Sequence, residues 1–249
     1  MPRSSILILL ILIVLSCSKV NHLAKVDSNS YQLDSSVNVE NVSHIDSIIQ
    51  PYKKEIDKEM NKVIGQASKS LTMAFPEGTL GNFVADVLYE KAVEHYEGRV
   101  DFAFINYWSI RIEEIPKGAI TKSHVFELMP FENHLVIMKV DKKVVLQLFE
   151  NMAQKGGWPV SKQVQFKIKN GNPVDVLINE QPLQEDHTYH VAVSNYLANG
   201  GDNCSFFINQ NRDNLEVMIR DMIMDGIVDI GKSGKLIDAE IEGRISIKQ

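Results

Sequence analysis

The sequence predicts an α+β domain in which a mixed β-sheet carries packed helices. Three observations point there. Apolar residues recur at helical spacing in some segments and as short β-like runs in others, so both element types are present. The two kinds do not follow a strict βαβ rhythm, which argues against an all-parallel, doubly wound sheet. With 44% hydrophobic and 23% charged residues, the composition is that of an ordinary globular chain. The 249 residues suffice for one large domain or two small ones. The net charge of -6, with Lys and Arg interspersed among Asp and Glu, lacks the basic clusters of a nucleic-acid surface, so no nucleic-acid partner is expected.

In chain order, Arg3 precedes an apolar run from Ile6 to Leu15 that is too short to span a bilayer comfortably and suits a signal-peptide core. Its end, Val14-Leu-Ser-Cys17, is similar to the bacterial lipobox, in which the cysteine is lipidated and becomes the first mature residue. Residues 1–17 are therefore expected to be a lipoprotein signal peptide, with Cys17 the lipidation site and the chain held at a membrane by an N-terminal lipid. A plain signal peptide or an uncleaved anchor is the alternative. Residues 18–45, rich in Ser, Asn, Val and Asp, form the expected flexible tether. As a coil it would reach about 30 Å.

Residues 46–249 form the expected folded domain. An amphipathic helix is predicted from Ile45 to Lys69, interrupted near its start by Pro51, with the charges from Lys53 to Glu59 as a solvated face. A second helix runs from Leu80 to Tyr96, with Leu80, Val84, Val87, Leu88 and Ala92 as one apolar stripe and Gly78 or Thr79 at its cap. Asp101 to Asn106 reads as a short buried strand, and Leu135 to Val140 as another. Asp141 is placed to cap a helix from Lys142 to Gln154, which Gly156-Gly157 end. Strands are then predicted at Val164–Lys169, Val174–Ile178 and Tyr189–Leu197, a helix from Asn214 to Ile223 ending near Gly226, and a final strand from Ile237 to Ile247.

The chemistry gathers in loops. Asn195-Tyr-Leu-Ala-Asn-Gly-Gly-Asp202 ends a β-like run, turns on Gly200 and Gly201, and places Tyr196 and Asp202 on one side. An aromatic face plus a carboxylate suits a flat ring bearing vicinal hydroxyls, as in a nucleoside; the same letters also spell an ordinary β-turn. Two further loops begin or end at strands: Asn106-Tyr-Trp-Ser-Ile-Arg111 and Pro130-Phe-Glu-Asn133. An Asn amide reads a base edge, an Arg fork holds a phosphate, and Phe131 facing Tyr196 would sandwich a ring. Taken singly, Arg111 also fits a surface ion pair, Phe131 a core ring and Asn106 a turn cap. His187 and His190 fall on opposite faces if their segment is a strand, so a shared metal is not expected. Cys204 reads as a small buried residue, and no Gly-x-Ser-x-Gly nucleophile motif occurs.

Five pieces in this order, Leu80-Gly-Asn-Phe-Val-Ala-Asp86, Asn106 to Arg111, Pro116-Lys-Gly-Ala-Ile-Thr121, Pro130 to Asn133 and Asn195 to Asp202, resemble the C-terminal substrate-binding domain of bacterial and animal 5'-nucleotidases. The resemblance covers most of the chain after residue 45. It implies that fold, and places Phe131 and Tyr196 on the nucleobase, Asp202 on the ribose hydroxyls, and Asn106 and Arg111 on base and phosphate. Asn133, Gly200 and Gly201 complete the implied substrate-binding set.

The sequence also departs from the family. Tyr107-Trp-Ser109 stands where a glycine-rich loop is usual, which implies restricted phosphate access. Phe75-Pro76-Glu77 stands where many members have an arginine, and Lys162 follows Ser161 where a glycine is common.

In that family the catalytic work belongs to a metallophosphatase domain holding two divalent metals. No such motifs stand in this sequence, so no cofactor or catalytic residue is assigned to it, and the two metals are expected in a partner. Three readings follow: the nucleotide-binding half of a split 5'-nucleotidase acting with a metallophosphatase subunit at the bacterial cell envelope, a nucleoside-binding lipoprotein without chemistry, or a structural or interaction lipoprotein. The first is preferred, because it accounts for the retained site residues.

Overall fold

The computed structural model describes Ser30 and residues 43–248. Cys17, the expected signal peptide and nearly all of the expected tether lie outside the described residues. Helix α1 (Ser43–Met60) starts inside the stretch expected to be tether and continues through Pro51. It ends at Met60 rather than at Lys69, because Val63–Ala67 forms strand β1 instead. Gly65 was the overlooked sign: a Cβ there would lie 2.4 Å from Ile227 Cγ2. Two-residue strand β2 (Leu71–Thr72) leads to helix α2 (Thr79–His95), whose predicted stripe is buried throughout. Its N-cap is Gly78, without a side-chain cap bond.

Strand β3 (Phe102–Ala103) is shorter than predicted and runs into the loop that starts at Asn106. Strands β4 (Glu114–Ile115) and β5 (Gly118–Thr121) precede helix α3 (Lys122–Leu128), which carries a capping box between Thr121 and His124. Strand β6 (His134–Val140) and helix α4 (Lys142–Gln154) follow the predicted pattern closely. The Asp141 carboxylate accepts from Val144 N at 2.9 Å, and Gly156 and Gly157 leave the helix at φ +85° and +111°. Strands β7 (Val164–Lys169), β8 (Asn172–Ile178) and β9 (Gln181–Pro182) pair in succession.

Strand β10 (Tyr189–Ser194) stops before Leu197. Ser194 Oγ accepts from Leu197 N at 3.3 Å and starts the helical turn α5 (Asn195–Ala198), so the segment holding Tyr196 is helical rather than β-like. Residues expected to begin a helix at Asn214 instead belong to strand β11 (Asn211–Met218), and helix α6 (Ile219–Lys232) begins midway through the stretch expected to be helical and runs past Gly226. The final predicted strand shrinks to β12 (Ile245–Ile247) plus one bridge between Ile237 and Ala67, with Gly243 at φ +75° between them.

The central sheet has the order β11-β6-β10-β3. Because side chains alternate across a strand, the two faces feed two cores. Leu135, Ile137, Ala192 and Ala103 pack with α2 and α6, through Leu80, Val84, Leu88, Ile219, Met222 and Ile223. Val136, Met138, Val191, Val193, Phe102 and Phe104 pack with α4, through Val145, Leu148, Phe149 and Met152, and with Val164 and Phe166 of β7. β10 runs parallel to β3 and antiparallel to β6. The C-terminal ends of β3 and β10 therefore lie at the same edge as the start of β6. No helix among the described residues is long and apolar enough to cross a membrane.

Candidate functional site

The loops at that shared edge enclose a cavity of about 280 Å³. Asn106 and Arg111 reach it from the loop after β3, Phe131 and Asn133 from the loop before β6, and Tyr196 and Asp202 from the segment after β10. Trp108 and Ser109 line it as well. A bond from His134 N to Asn195 Oδ1, 3.1 Å, ties the start of β6 to the start of α5 and fixes two of these loops to each other.

Asp202 is the hub. Its Oδ2 accepts from Asn106 Nδ2 at 2.6 Å and its Oδ1 from the Tyr196 hydroxyl at 3.1 Å. Asn106 Oδ1 in turn accepts from the buried Ser109 hydroxyl. The Asn106 amide, expected to read a base edge, thus has its orientation set by Ser109 and Asp202. Burial, and then the bond to the Asp202 carboxylate, raise the Tyr196 phenol above its ordinary pKa, so the hydroxyl stays protonated and donates.

The backbone at this hub is held in a costly form. Asp202 sits at φ +49°, ψ +40°, and Asn203 at φ +68°, directly after the pair formed by Gly200, at φ +93°, and Gly201. Asp and Asn tolerate the left-handed region better than other side chains but still lose about 1 kcal/mol there. Asn151 compensates. From the buried side of α4 its Nδ2 donates to the Asp202 carbonyl at 3.0 Å and lies 3.5 Å from Cys204 Sγ. Sequence reasoning missed Asn151; the available signal was an amide on the apolar face of an amphipathic helix. Gly200 and Gly201 do not line the cavity but shape it. A Cβ on Gly201 would lie 2.5 Å from the Tyr196 ring, so only glycine lets that ring lie against the turn.

Phe131 and Tyr196 both line the cavity, and no ring contact joins them among the described residues. The Arg111 guanidinium sits 4.8 Å from the Phe131 ring centre, a cation–π geometry, and forms no ion pair among the described residues. Tyr107 turns away and stacks on Phe75, ring centres 3.9 Å apart and 11° from parallel. Of the three side chains expected to crowd the loop, Trp108 and Ser109 face the cavity and Tyr107 does not. Lys162, which stands where a glycine is common in the family, lines a separate cavity of about 420 Å³ with Glu242 and Arg244.

The two histidines correct the spacing argument. β10 begins only at Tyr189, so strand alternation does not extend to His187. Both rings approach Asp101, with His187 Nε2 3.5 Å and His190 Nδ1 3.8 Å from its carboxylate. Among the described residues, no group of three or more His, Cys, Asp or Glu is placed to hold a metal ion.

Comparisons with known proteins agree with this fold. Residues 63–209 match the family model described as 5'-nucleotidase, C-terminal domain. The trifunctional nucleotide phosphoesterase protein YfkN of Bacillus subtilis (strain 168) is 27% identical over 223 residues, covering 79% of this chain and 14% of its own length. The 5'-nucleotidase of Vibrio vulnificus (strain CMCP6) is 27% identical over 164 residues, covering 62% of this chain and 28% of its own length. Among solved structures, the 5'-nucleotidase precursor from Thermus thermophilus superposes with a TM-score of 0.72 at 26% identity, over 82% of this chain and 43% of that one. The chain therefore spans less than half the length of each of these relatives.

Proposed function

Because the chain belongs to the family of 5'-nucleotidase C-terminal domains, we propose that it holds the nucleoside part of a nucleotide or nucleoside at the β3/β6/β10 edge. In this reading Phe131 and Tyr196 flank the base, Asp202 accepts from the ribose hydroxyls, Asn106 and Asn133 orient the base, and Arg111 lies nearest to any phosphate. The observation that carries it is the convergence of side chains from three loops on one cavity, with the Asp202 carboxylate bonded to both Asn106 and Tyr196. Such a hub keeps acceptor lone pairs free for a diol, because an ionised carboxylate offers about four acceptor positions.

Hydrolysis is assigned to a metallophosphatase unit holding two divalent metals on a separate chain, with this chain supplying the substrate-binding half for nucleotide breakdown. The leader resembling a lipobox at Cys17 supports a place at the bacterial cell envelope, tethered by lipid.

Calorimetric titration with adenosine and AMP tests the binding role, and phosphate release from AMP tests the division of labour. Binding of either ligand is expected, with a loss of about tenfold or more in Asp202→Ala, since a diol loses a charged acceptor. No phosphate release is expected from this chain alone, with or without added divalent metal. Unchanged affinity in Asp202→Ala would move the site elsewhere, and metal-dependent release by the purified chain would remove the need for a partner.

A further inference from the structure

Helix α1 carries an apolar stripe that neither core takes up. Ile45, Ile48, Ile49, Tyr52 and Ile56 follow helical spacing, each is at least 50% exposed, and none joins either core. The Glu59–Lys122 ion pair fastens the C-terminal end of the helix, while every side chain from Ile45 to Glu59 stays exposed. Monomeric soluble domains rarely leave so continuous an apolar face to water. Four of the five residues form two interleaved seven-residue repeats, Ile45 with Tyr52 and Ile49 with Ile56. That is the a/d pattern of a coiled-coil seam, with β-branched Ile49 and Ile56 at a and Ile45 and Tyr52 at d. Pro51 then falls at an outer position, away from the seam. Glu59 would be the next d residue but is held by Lys122, so the seam ends at Ile56.

The residues beside the seam select its occupant. Asp46 and Lys53 flank it on one side, seven residues apart, too far along one helix to pair with each other. With a second copy of α1 laid antiparallel, Ile49 meets the partner's Tyr52, Ile56 meets the partner's Ile45, and Asp46 meets the partner's Lys53. On the other flank Ile48 lies along the aliphatic stem of the partner's Glu55. A parallel pair would set Tyr52 against the partner's Tyr52 and Lys53 against the partner's Ile48, with no opposite charges facing. A lipid surface matches less well. Lys53, Lys54 and Lys58 stand against Asp46, Glu55, Asp57 and Glu59, so the polar face lacks the basic excess of helices that lie on anionic headgroups.

We propose that α1 docks on α1 of a second copy of this chain as a short antiparallel coiled coil, so that the protein is a dimer. None of the stripe residues lines the cavity that holds Asp202, and the inference does not depend on what that cavity binds. A seam of two heptads is short, so the dimer is reversible and its population rises with concentration.

Sedimentation equilibrium of the full chain in a density-matched, non-ionic detergent, over a range of protein concentrations, tests this. A reversible monomer–dimer equilibrium is expected. Ile56→Lys should weaken it about a hundredfold or more, because both copies would then bury a charge in the seam. Asp46→Lys and Lys53→Asp should each weaken it about threefold to tenfold, since each sets like charges across the pair twice. The chain carrying both exchanges should return to within about threefold of the parent, because the pair is re-formed with its signs reversed. That rescue belongs to the antiparallel register. All three positions are exposed, so each variant should keep the parent's Tm, which separates lost pairing from lost folding. A chain that stays monomeric at every concentration would leave the stripe to a lipid surface or to another protein and overturn the proposal. A dimer that survives Ile56→Lys, or one that the double exchange fails to restore, would overturn it as well.

Discussion

At the scale of single residues, the turn at Gly200–Cys204 concentrates the constraints of the site. Asp202 adopts a left-handed backbone that costs it stability, and its carbonyl is held by Asn151 while its carboxylate holds Asn106 and Tyr196. Strain of this kind persists only where the surroundings over-determine it, and here they do so from α4, the β3 loop and α5. Cys204 belongs to the same arrangement. It is fully buried beneath the turn, and burial pushes its thiol up to about 12. The native state then keeps its proton to far higher pH than the unfolded chain, whose thiol titrates near 8.5. For an acid with a raised native pKa, this contribution to stability is intact below about pH 8.5 and falls as the pH climbs towards 12, because the unfolded state releases the proton first. Urea unfolding at pH 7.5 and pH 10 should show it: the parent loses more stability between the two than Cys204→Ala does. Equal losses would mean that the thiol titrates normally in the folded chain.

At the scale of elements, helix packing explains what the sequence pattern made visible and what it hid. Helix α4 was legible from end to end because Asp141 caps it and two glycines stop it, both local signals. β6 and β10 were legible because they are central strands buried on both faces, which leaves near-continuous apolar runs. β11 was not, because it pairs only with β6, carries Asn, Arg, Asp and Glu along its length, and breaks register between Asn214 and Met218. The candidate site residues were legible because three loops carried unusual mixtures of amide, charge and aromatic. Asn151 and the turning of Tyr107 onto Phe75 were hidden because each depends on a partner distant in sequence.

Gly226 shows how a local signal misleads. It suggested a helix end, yet α6 continues to Lys232 because this glycine serves packing: a Cβ there would lie 2.5 Å from Val87 Cγ1 on α2. Gly226→Val is expected to destabilise the chain by about 3 kcal/mol through overpacking, and Val87→Ala in the same chain should recover much of that by opening the space. Thermal unfolding of the single and double variants decides it. A double variant no more stable than Gly226→Val would place the strain somewhere other than the α2–α6 contact.

At the scale of the whole described molecule, the two cores meet across one sheet, and the C-terminal segment fastens α2 to the β7 side. Arg244, 4% exposed, grips Asp86 of α2 with two bonds of 2.8 and 2.6 Å, donates to the Val160 carbonyl at 2.8 Å, and pairs with Glu242. The same segment reaches α2 again where Asn82 Nδ2 donates to the Glu240 carbonyl at 2.8 Å. The chain beside Val160 bears on the site, because Ser161 Oγ accepts from Ala103 N at 3.0 Å and so braces the strand that leads to Asn106. Removing the guanidinium takes that donor from the Asp86 and Glu242 carboxylates and the Val160 carbonyl, while the Lys162 N–H still donates to Asp86 Oδ1 at 2.9 Å. Breaking a buried pair costs about 3–5 kcal/mol, and since the Asp86 side chain is 25% exposed, water relieves part of the loss and the low end applies. Arg244→Met should therefore lower stability by about 3 kcal/mol, a fall of roughly 6–12 °C in Tm for a domain of this size. Adding Asp86→Leu, which removes the stranded charge as well, should restore part of it, since a buried ion pair exchanged for apolar groups is often neutral. Calorimetric scans of the three chains separate the alternatives. If the double variant melts no higher than Arg244→Met, the cost lies in the lost Val160 contact and the bracing of β3, and adenosine binding should then weaken in both variants alike.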